Sequence, residues 1–475
     1  MVMKHLFKIF VLGLMVLVSG CGDWLDIKPQ TESKEDDLFA KEQGFKDALI
    51  GAYIQMKQNS LYGQNLTYTT LEYLAQHWNY SLVTYEENLS TYVYSDAIVE
   101  ATFSSVYEQW YKVILSCNNI LNNIDGRKDV FTKKYYELVK GEALAIRAFM
   151  HFDVLRLFGP TPAAVVSGER ILPYVTEVST IPNVHITFDE YIKLLEQDML
   201  EAESLLAVSD PIIGDNTSLY DAAMDDFIQS RELRVNYYAL KALMARFYLW
   251  IDQEDSAFSC AKEVIEAKSA LGGDIFTLAD KTVFLSDNKA LTGEWIFGIS
   301  VKGLADDVQV NFIEARAGAK LTKTKEMVLT GLYENNTAIS LNKPALPTPL
   351  PFTVVLLIFS YLFTKYTQEG LSSLPVMRIS EMYLVAAEAA PTLEEGISYF
   401  RKFRTSRDLQ TLTYSTKIQL QSDILKEYEK EFYGEGQMFY AYKRVNSPSM
   451  LWSIVPITPS IYKIPLPQDE ISYLP

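Results

Sequence analysis

A helical spacing of apolar residues restricts the fold of this chain more than any other feature of its sequence. Between positions 132 and 160, apolar side chains recur at intervals of three or four residues, at Val139, Ala143, Ile146, Met150, Val154 and Leu157. This spacing places them on one face of an α-helix, and a helix with such a face buries it against other helices. We expect Thr132 to cap the N-terminus of this helix, and Gly159 and Pro160 to end it.

A second helix starts a pattern that returns along the chain. Its predicted inner face carries Leu240, Leu243, Phe247 and Trp250. An acidic break from Asp252 to Asp255 follows, and alanines at four-residue spacing then begin the next helix at Ala257. A looser copy of this order runs from Met382 to Phe400. The pattern is similar to a tetratricopeptide unit, in which helices stack on their neighbours, so we predict a mainly all-α fold with a tetratricopeptide-like helical repeat scaffold.

Long irregular stretches separate these helices, at about residues 207–230 and 271–343. A short strand is predicted within the second stretch, from Glu294 to Ile299. Loops of this length are uncommon inside compact domains and usually carry function. We therefore expect an irregular, loop-rich ligand-binding portion on the helical scaffold.

The N-terminus has the order of a secretory lipoprotein signal. Basic residues precede an apolar stretch from Ile9 to Val18, and small residues lead from there to Cys21. This order resembles a bacterial lipobox, so we predict that residues 1–20 are removed and that Cys21 is lipidated. Each buried acyl methylene would contribute about 0.8 kcal/mol to membrane anchoring. Residues 21–37 are then predicted to form a tether, and residues 38–475 a single domain.

Composition excludes several classes of protein. The formal net charge is -17, which lacks the basic footprint of a nucleic-acid-binding protein. Beyond Cys21 only Cys117 and Cys260 remain, too few for a disulfide framework. The core is therefore expected to be held by packing.

Motifs for catalysis are also missing from the sequence. It has no His-Glu-x-x-His motif, no pair of cysteines at metal-binding spacing, no Gly-x-Ser-x-Gly elbow and no phosphate-binding glycine loop. We predict that the protein is not an enzyme and needs no metal or cofactor. A surface glycosidase remains an alternative, because paired carboxylates act through a spatial separation that sequence does not give. Glu142 and Arg147 are expected to steady helix packing.

Several sequence blocks in chain order resemble the SusD/RagB family. They are Trp110 to Asn118, Gly141 to Ala143, Phe158 to Pro162, Ala245 to Leu249, Arg378 to Ala389, Phe400 to Arg407, Ile424 to Arg444 and Tyr462 to Pro467. The block around Gly434 is similar to the family pattern ERRxEFxGEGxRxxDLxRW. It departs from that pattern at Tyr428, where an arginine is common, and at Gln437 and Met438, which replace the arginine after the second glycine.

This resemblance implies both a fold and a function. Members of the SusD/RagB family have tetratricopeptide-like units under a less regular ligand-binding part, and they dock on a TonB-dependent, SusC-like barrel. The chain would then be a lipid-anchored glycan-binding protein on the surface of the cell outer membrane that delivers oligosaccharide to the barrel. The alternative within the family is a peptide-binding or purely barrel-docking member.

Sugar capture requires exposed aromatic faces with polar groups around them. Residues 76–88 are polar around their rings and correspond to a region that often contacts ligand in the family, which makes Trp78, Asn79, Tyr80 and Tyr85 the predicted ligand-binding residues. Asn311 and Arg316 are a second candidate pair. Trp110, Trp250 and Trp295 are assigned to the core.

An apolar run from Pro351 to Phe363 is unusual for the family. It is shorter than the roughly 20 residues that a membrane-spanning helix needs. We predict that it forms a buried helix or strand.

Overall fold

A computed structural model describes most of the chain, namely residues 35–79, 84–214, 216–220, 225–284, 288–308, 310, 327–332, 352–354, 361–363 and 365–472. Its α-helices are α1 Glu42–Met56, α2 Thr70–Leu74, α3 Thr84–Ser90, α4 Ala97–Ile124, α5 Tyr135–Phe158, α6 Phe188–Leu206, α7 Tyr237–Trp250, α8 Glu254–Ile265, α9 Lys281–Phe284, α10 Leu304–Val308, α11 Ile379–Ala389, α12 Leu393–Ser406, α13 Lys417–Glu431, α14 Met438–Arg444 and α15 Gln468–Ser472. Its strands are β1 Arg170–Leu172, β2 Ile186–Thr187, β3 Trp295–Ser300, β4 Phe352–Val354, β5 Tyr361–Phe363 and β6 Ser373–Arg378. A π-helix covers Met327–Leu332, and the longest 3-10 helix covers Asp125–Val130.

The long helices pack in a chain of neighbours. Helix α4 lies between α1 and α5, α5 continues onto α6, and α7, α8, α11 and α12 extend the array in the same way. Among the described residues, strands occur only as antiparallel pairs: β1 with β2, β3 with β6, and β4 with β5. The fold is therefore mainly helical and tetratricopeptide-like, as predicted. No helix in the described part of the chain combines the length and apolarity needed to cross a bilayer.

Helix α5 is the centre of the core because neighbours cover both of its sides. Its predicted apolar face is completely buried, and Gly159 ends the helix as expected. The predicted cap at Thr132 is wrong: Lys134 precedes the first turn. Thr132 instead donates from its backbone N and Oγ1 to Glu42 Oε2, at 2.7 and 2.8 Å. Thr132 therefore contacts Glu42 of α1 and does not cap α5.

Other predicted elements are also present. The second predicted helix is α7, and Asn236 caps it by accepting from the backbone N of Ala239 at 2.9 Å. Trp110, Trp250 and Trp295 are buried as assigned. The predicted strand is β3. The apolar run was predicted to be a buried helix or strand. Its described residues form the antiparallel strands β4 and β5, and the burial of their side chains stays a prediction.

Glu142 and Arg147 have the structural roles expected of them. Arg147 forms a two-pronged ion pair with Asp198, with both N–O distances at 2.7 Å. Glu142 accepts from Arg231 Nη1 at 2.6 Å and from Tyr53 Oη at 2.7 Å. Because all these groups are held by neighbouring segments, they fasten α5 to the rest of the scaffold.

A buried ionic cluster joins the second half of the chain at the end of the β3–β6 pair. Arg378 Nη1 donates to Glu294 Oε2 at 2.7 Å and to Glu431 Oε1 at 2.6 Å, and its Nε donates to Glu435 Oε2 at 3.0 Å. Arg407 adds a second guanidinium on Glu431 and Glu294. Arg378, Arg407 and Glu431 come from three separate blocks of the family resemblance, which the fold brings together.

Candidate functional site

The predicted ligand segment begins in the turn after α2, where the structure buries Trp78. Its ring is only 1% exposed, lies 5.1 Å from the ring of Tyr433 at 82°, and donates from Nε1 to the backbone O of Tyr68 at 2.9 Å. The expectation that Trp78 presents an open face to a sugar is therefore wrong. Tertiary packing provides both a partner for its ring N–H and a cover for its apolar faces.

Glu72 connects this turn to the Gly434-Glu435-Gly436 block. Its Oε1 accepts from the backbone N of Gly436, and its Oε2 from the backbone N of Gly434, both at 2.8 Å. Oε2 also lies 2.6 Å from His77 Nδ1. The carboxylate is fully buried and satisfied, so it fixes the position of His77 relative to the block.

The ring of His77 begins a series of packed aromatic rings that reaches the protein surface. Its ring stacks on Tyr433 at 4.4 Å and 16°, and the Tyr433 ring lies 6.5 Å from the indole of Trp452 at 75°. Trp452 is partly exposed. The sequence did not indicate Trp452 as a candidate, because nothing in the residues around it predicts its partial exposure or its packing against Tyr433.

The backbone around this series adopts an uncommon conformation at three positions. Gln76, Tyr92 and Trp452 have φ angles of 66, 60 and 64°, in the left-handed region. Each such residue costs of order 1–3 kcal/mol and persists only where surrounding contacts enforce it. Gln76 Nε2 donates to Tyr92 Oη at 2.9 Å, and the Tyr92 hydroxyl lies 3.2 Å from Met450 Sδ, two residues before Trp452. Hydrogen bonds thus link Gln76 to Tyr92, and Tyr92 to the segment that carries Trp452.

Hydrogen bonds to its backbone also fix the loop that carries Trp452. The backbone N of Leu451 donates to Tyr442 Oη at 3.1 Å, and the hydroxyl of Tyr462 donates to the backbone O of Ser447 at 2.8 Å. At Gly331 a Cβ atom would lie 2.7 Å from Trp452 Nε1, so this glycine lets its segment approach the indole edge. These contacts hold the segment around Trp452 in place.

The other predicted ligand residues divide into two groups. Asn79 is partly exposed, and Tyr85 is partly exposed on α3, with its Oη 3.4 Å from Thr70 Oγ1. The end of α3 contacts the same turn, because Gln76 Nε2 donates to the backbone O of Ser90 at 2.8 Å. The predicted residues Tyr80, Asn311 and Arg316, and the lipidation site Cys21, lie outside the described residues.

A groove lies beyond the C-terminal end of α5. It has a volume of about 880 Å³ and is lined mostly by apolar side chains, among them Phe158, Ile171, Val184, Ile464 and Leu466. Val184 is 60% exposed. Within the described part of the chain, no group of three or more His, Cys, Asp or Glu side chains is arranged to hold a metal ion.

Two family sequence models match the chain. One, described as "Starch-binding associating with outer membrane", covers residues 23–249, and the other, described as the SusD family, covers residues 360–462. The SusD-like protein P25 of Formosa agariphila is 27% identical over 151 residues, which are 30% of this chain and 28% of that protein. The matched stretch therefore spans less than a third of that relative.

Solved structures resemble the whole fold. A SusD superfamily protein from Bacteroides thetaiotaomicron has a TM-score of 0.69 at 20% identity, covering 91% of this chain and 98% of its own. A SusD-like carbohydrate binding protein from Bacteroides vulgatus has a TM-score of 0.63 at 16% identity, covering 85% and 83%. The family models match residues 23–249 and 360–462, and the buried hydrogen bonds of Glu72 with Gly434 and Gly436 join these two regions. The chain thus belongs to the SusD/RagB family.

Proposed function

We propose that the protein captures glycans at the cell surface and passes them to a TonB-dependent, SusC-like barrel in the outer membrane. The observation that carries the proposal is the partly exposed indole of Trp452, which lies beside the Tyr433 ring on a backbone in the left-handed region. Prepositioned aromatic rings bind at a low cost in conformational entropy. An indole face can cover the apolar C–H side of a pyranose ring while polar groups hold the hydroxyls.

Asn79 and Tyr85 complete the proposed site, which we call the Trp452 site. Both lie on segments that contact the Gln76 turn, and they offer an amide and a phenol for sugar hydroxyls. Tyr80, Asn311 and Arg316 remain predicted contributors. Trp78 has a supporting role in this proposal, because its ring packs against Tyr433.

Anchoring and partnership rest on the sequence and the family. The proposal includes removal of residues 1–20, lipidation of Cys21, a tether over residues 21–37 and a single domain over residues 38–475. The name of one matching family model associates such proteins with the outer membrane. Binding without catalysis fits the family, in which a structural neighbour is named a carbohydrate binding protein.

Isothermal calorimetry and affinity gels on residues 22–475, with a panel of host and plant glycans, test the proposal. We expect saturable binding to at least one glycan, and Trp452→Ala to weaken it by about ten- to a hundredfold, as loss of a central aromatic contact does. Tyr136→Ala is the matched control: this partly exposed ring lies on α5 beside Asp125 and should leave binding unchanged.

A folded protein that binds no glycan would contradict the proposed function. Glycan binding that survives Trp452→Ala would keep the function and remove the site. Peptide binding is the second candidate, favoured by the apolar groove beside Val184. It predicts saturable binding of peptides that Val184→Glu abolishes and Trp452→Ala does not affect.

A further inference from the structure

Gln76 and Tyr92 occupy equivalent positions after two short helices. Gln76 follows Leu74, the last residue of α2, by two positions, and Tyr92 follows Ser90, the last residue of α3, by two positions. Their φ angles of 66 and 60° are left-handed. Glycine is the usual residue in this conformation just after a helix, because it has no Cβ atom. Two large side chains at such positions indicate that the side chains themselves are used.

The two side chains cap the two helices reciprocally. The last carbonyls of a helix have no partner within it. Gln76 Nε2, after α2, donates to the backbone O of Ser90 at the end of α3, at 2.8 Å. Tyr92 Oη, after α3, donates to the backbone O of Leu74 at the end of α2, at 3.0 Å. Gln76 Nε2 also donates to Tyr92 Oη at 2.9 Å. One hydrogen-bonded pair therefore closes both helix ends and fixes α2 relative to α3.

The same pair contacts the turn that carries Trp452. Tyr92 Oη lies 3.2 Å from Met450 Sδ. The backbone N of Ser453 donates to the backbone O of Met450 at 3.2 Å, which closes a four-residue turn with Trp452 at its third position. The φ of 64° at Trp452 is the left-handed value that such a turn requires at that position. The position of Met450 therefore determines where the turn presents the indole.

Each proposed ligand contact is thus a short path away from the pair. Asn79 lies three residues after Gln76, Tyr85 belongs to the helix whose end Gln76 caps, and Trp452 follows Met450 by two residues. A ligand that contacts all three segments binds best when their spacing is fixed beforehand, because ordering them during binding costs free energy.

We propose that Gln76 and Tyr92 are positioning residues of the Trp452 site, whose reciprocal caps hold Asn79, Tyr85 and Trp452 at the spacing that a glycan recognises. The pair acts through the three segments that it joins. This inference rests on the proposed function, because it concerns the same site.

Gln76→Gly and Tyr92→Phe test the proposal by calorimetry with a glycan that the parent protein binds. Each variant should weaken the affinity by about three- to tenfold, because the segments must then be ordered during binding. Gln76→Gly should do so with a midpoint of thermal unfolding within about 3 °C of the parent value, since glycine adopts the left-handed φ without strain. A cap that only stabilises the fold would lower the midpoint and leave the affinity unchanged, which would overturn the proposal.

Controls and a double variant make the calorimetry specific. Because the two caps form one hydrogen-bonded unit, combining Gln76→Gly with Tyr92→Phe should weaken binding no more than the more severe single variant does. Asp252→Gly replaces an exposed residue with a φ of 59° between α7 and α8, and should bind as the parent does. Tyr414→Phe removes a hydrogen bond of 3.0 Å to Asp423 and should also leave the affinity unchanged. Fully additive losses, or equal losses in the controls, would contradict the inference.

A spectroscopic measurement separates this inference from the proposed function. In protein labelled with fluorotryptophan, the fluorine resonance of Trp452 is assigned by its absence in Trp452→Phe. We expect this resonance to shift or broaden in Gln76→Gly and Tyr92→Phe, and to stay unchanged in Asp252→Gly, without any glycan present. An unchanged resonance in the first two variants would refute the positioning role even if glycan binds. A shifted resonance in a protein that binds no glycan would contradict the proposed function and support the positioning of Trp452.

Discussion

Replacing Arg378 by alanine should lower the free energy of unfolding by about 3–5 kcal/mol, as the removal of one partner from a buried ion pair does. Arg378 is 1% exposed and contacts Glu294, Glu431 and Glu435. Burial alone would raise the pKa of Glu431, but Arg407 and Arg378 outweigh it and hold that pKa well below its usual range. Without Arg378, three buried carboxylates would share the remaining cations Arg407 and Lys365.

Urea unfolding followed by circular dichroism measures this loss. Lys112→Ala is the matched control, since it removes a cation from an ion pair with Glu108 whose side chains are 53% and 68% exposed. Exposed pairs contribute about 0–1 kcal/mol, so this variant should unfold almost as the parent does. Equal losses in the two variants would show that the buried cluster does not hold the scaffold together.

Replacing Gly436 by alanine should be at least as damaging, through the backbone. Its φ of 69° is left-handed, which costs an L-residue roughly 1–2 kcal/mol. A Cβ atom would also lie 2.0 Å from the backbone O of Leu66, so one of the two segments would have to move. We expect a total loss above about 3 kcal/mol, in the upper range of single substitutions.

Gly370→Ala isolates the conformational part of this effect. Gly370 has a similar φ of 80°, but a Cβ atom there would meet nothing within 4 Å. It should therefore lose only the roughly 1–2 kcal/mol of the left-handed backbone. Similar losses of unfolding free energy at both glycines, measured by the same urea titration, would show that the backbone of Leu66 can shift at little energetic cost.

Gly436→Ala should also weaken the glycan binding proposed for the Trp452 site. The backbone N of Gly436 donates to Glu72, which positions His77 beneath Tyr433 and, through it, Trp452. Displacing this backbone would disturb the whole series.

Local patterns in the sequence were sufficient to predict several of the helices, α5 and α7 among them. The spacing from Val139 to Leu157 predicted α5 and its buried face, and Gly159 predicted its end, because helix periodicity and termination depend on residues close together in the chain. The cap prediction failed because α5 begins after Lys134, while the backbone N and hydroxyl of Thr132 donate to Glu42 of α1. Family membership could likewise be predicted from the order of the sequence blocks.

The candidate site depended on tertiary structure. The sequence indicated the region after α2, but packing buried Trp78 and left Trp452, more than 370 positions further along, partly exposed. Segments far apart in the sequence proved to be partners: Glu72 binds Gly434 and Gly436, and Arg378 binds Glu431 and Glu435. A sequence determines local periodicity through near neighbours, whereas exposure and ion pairing depend on which distant segments share a place in space.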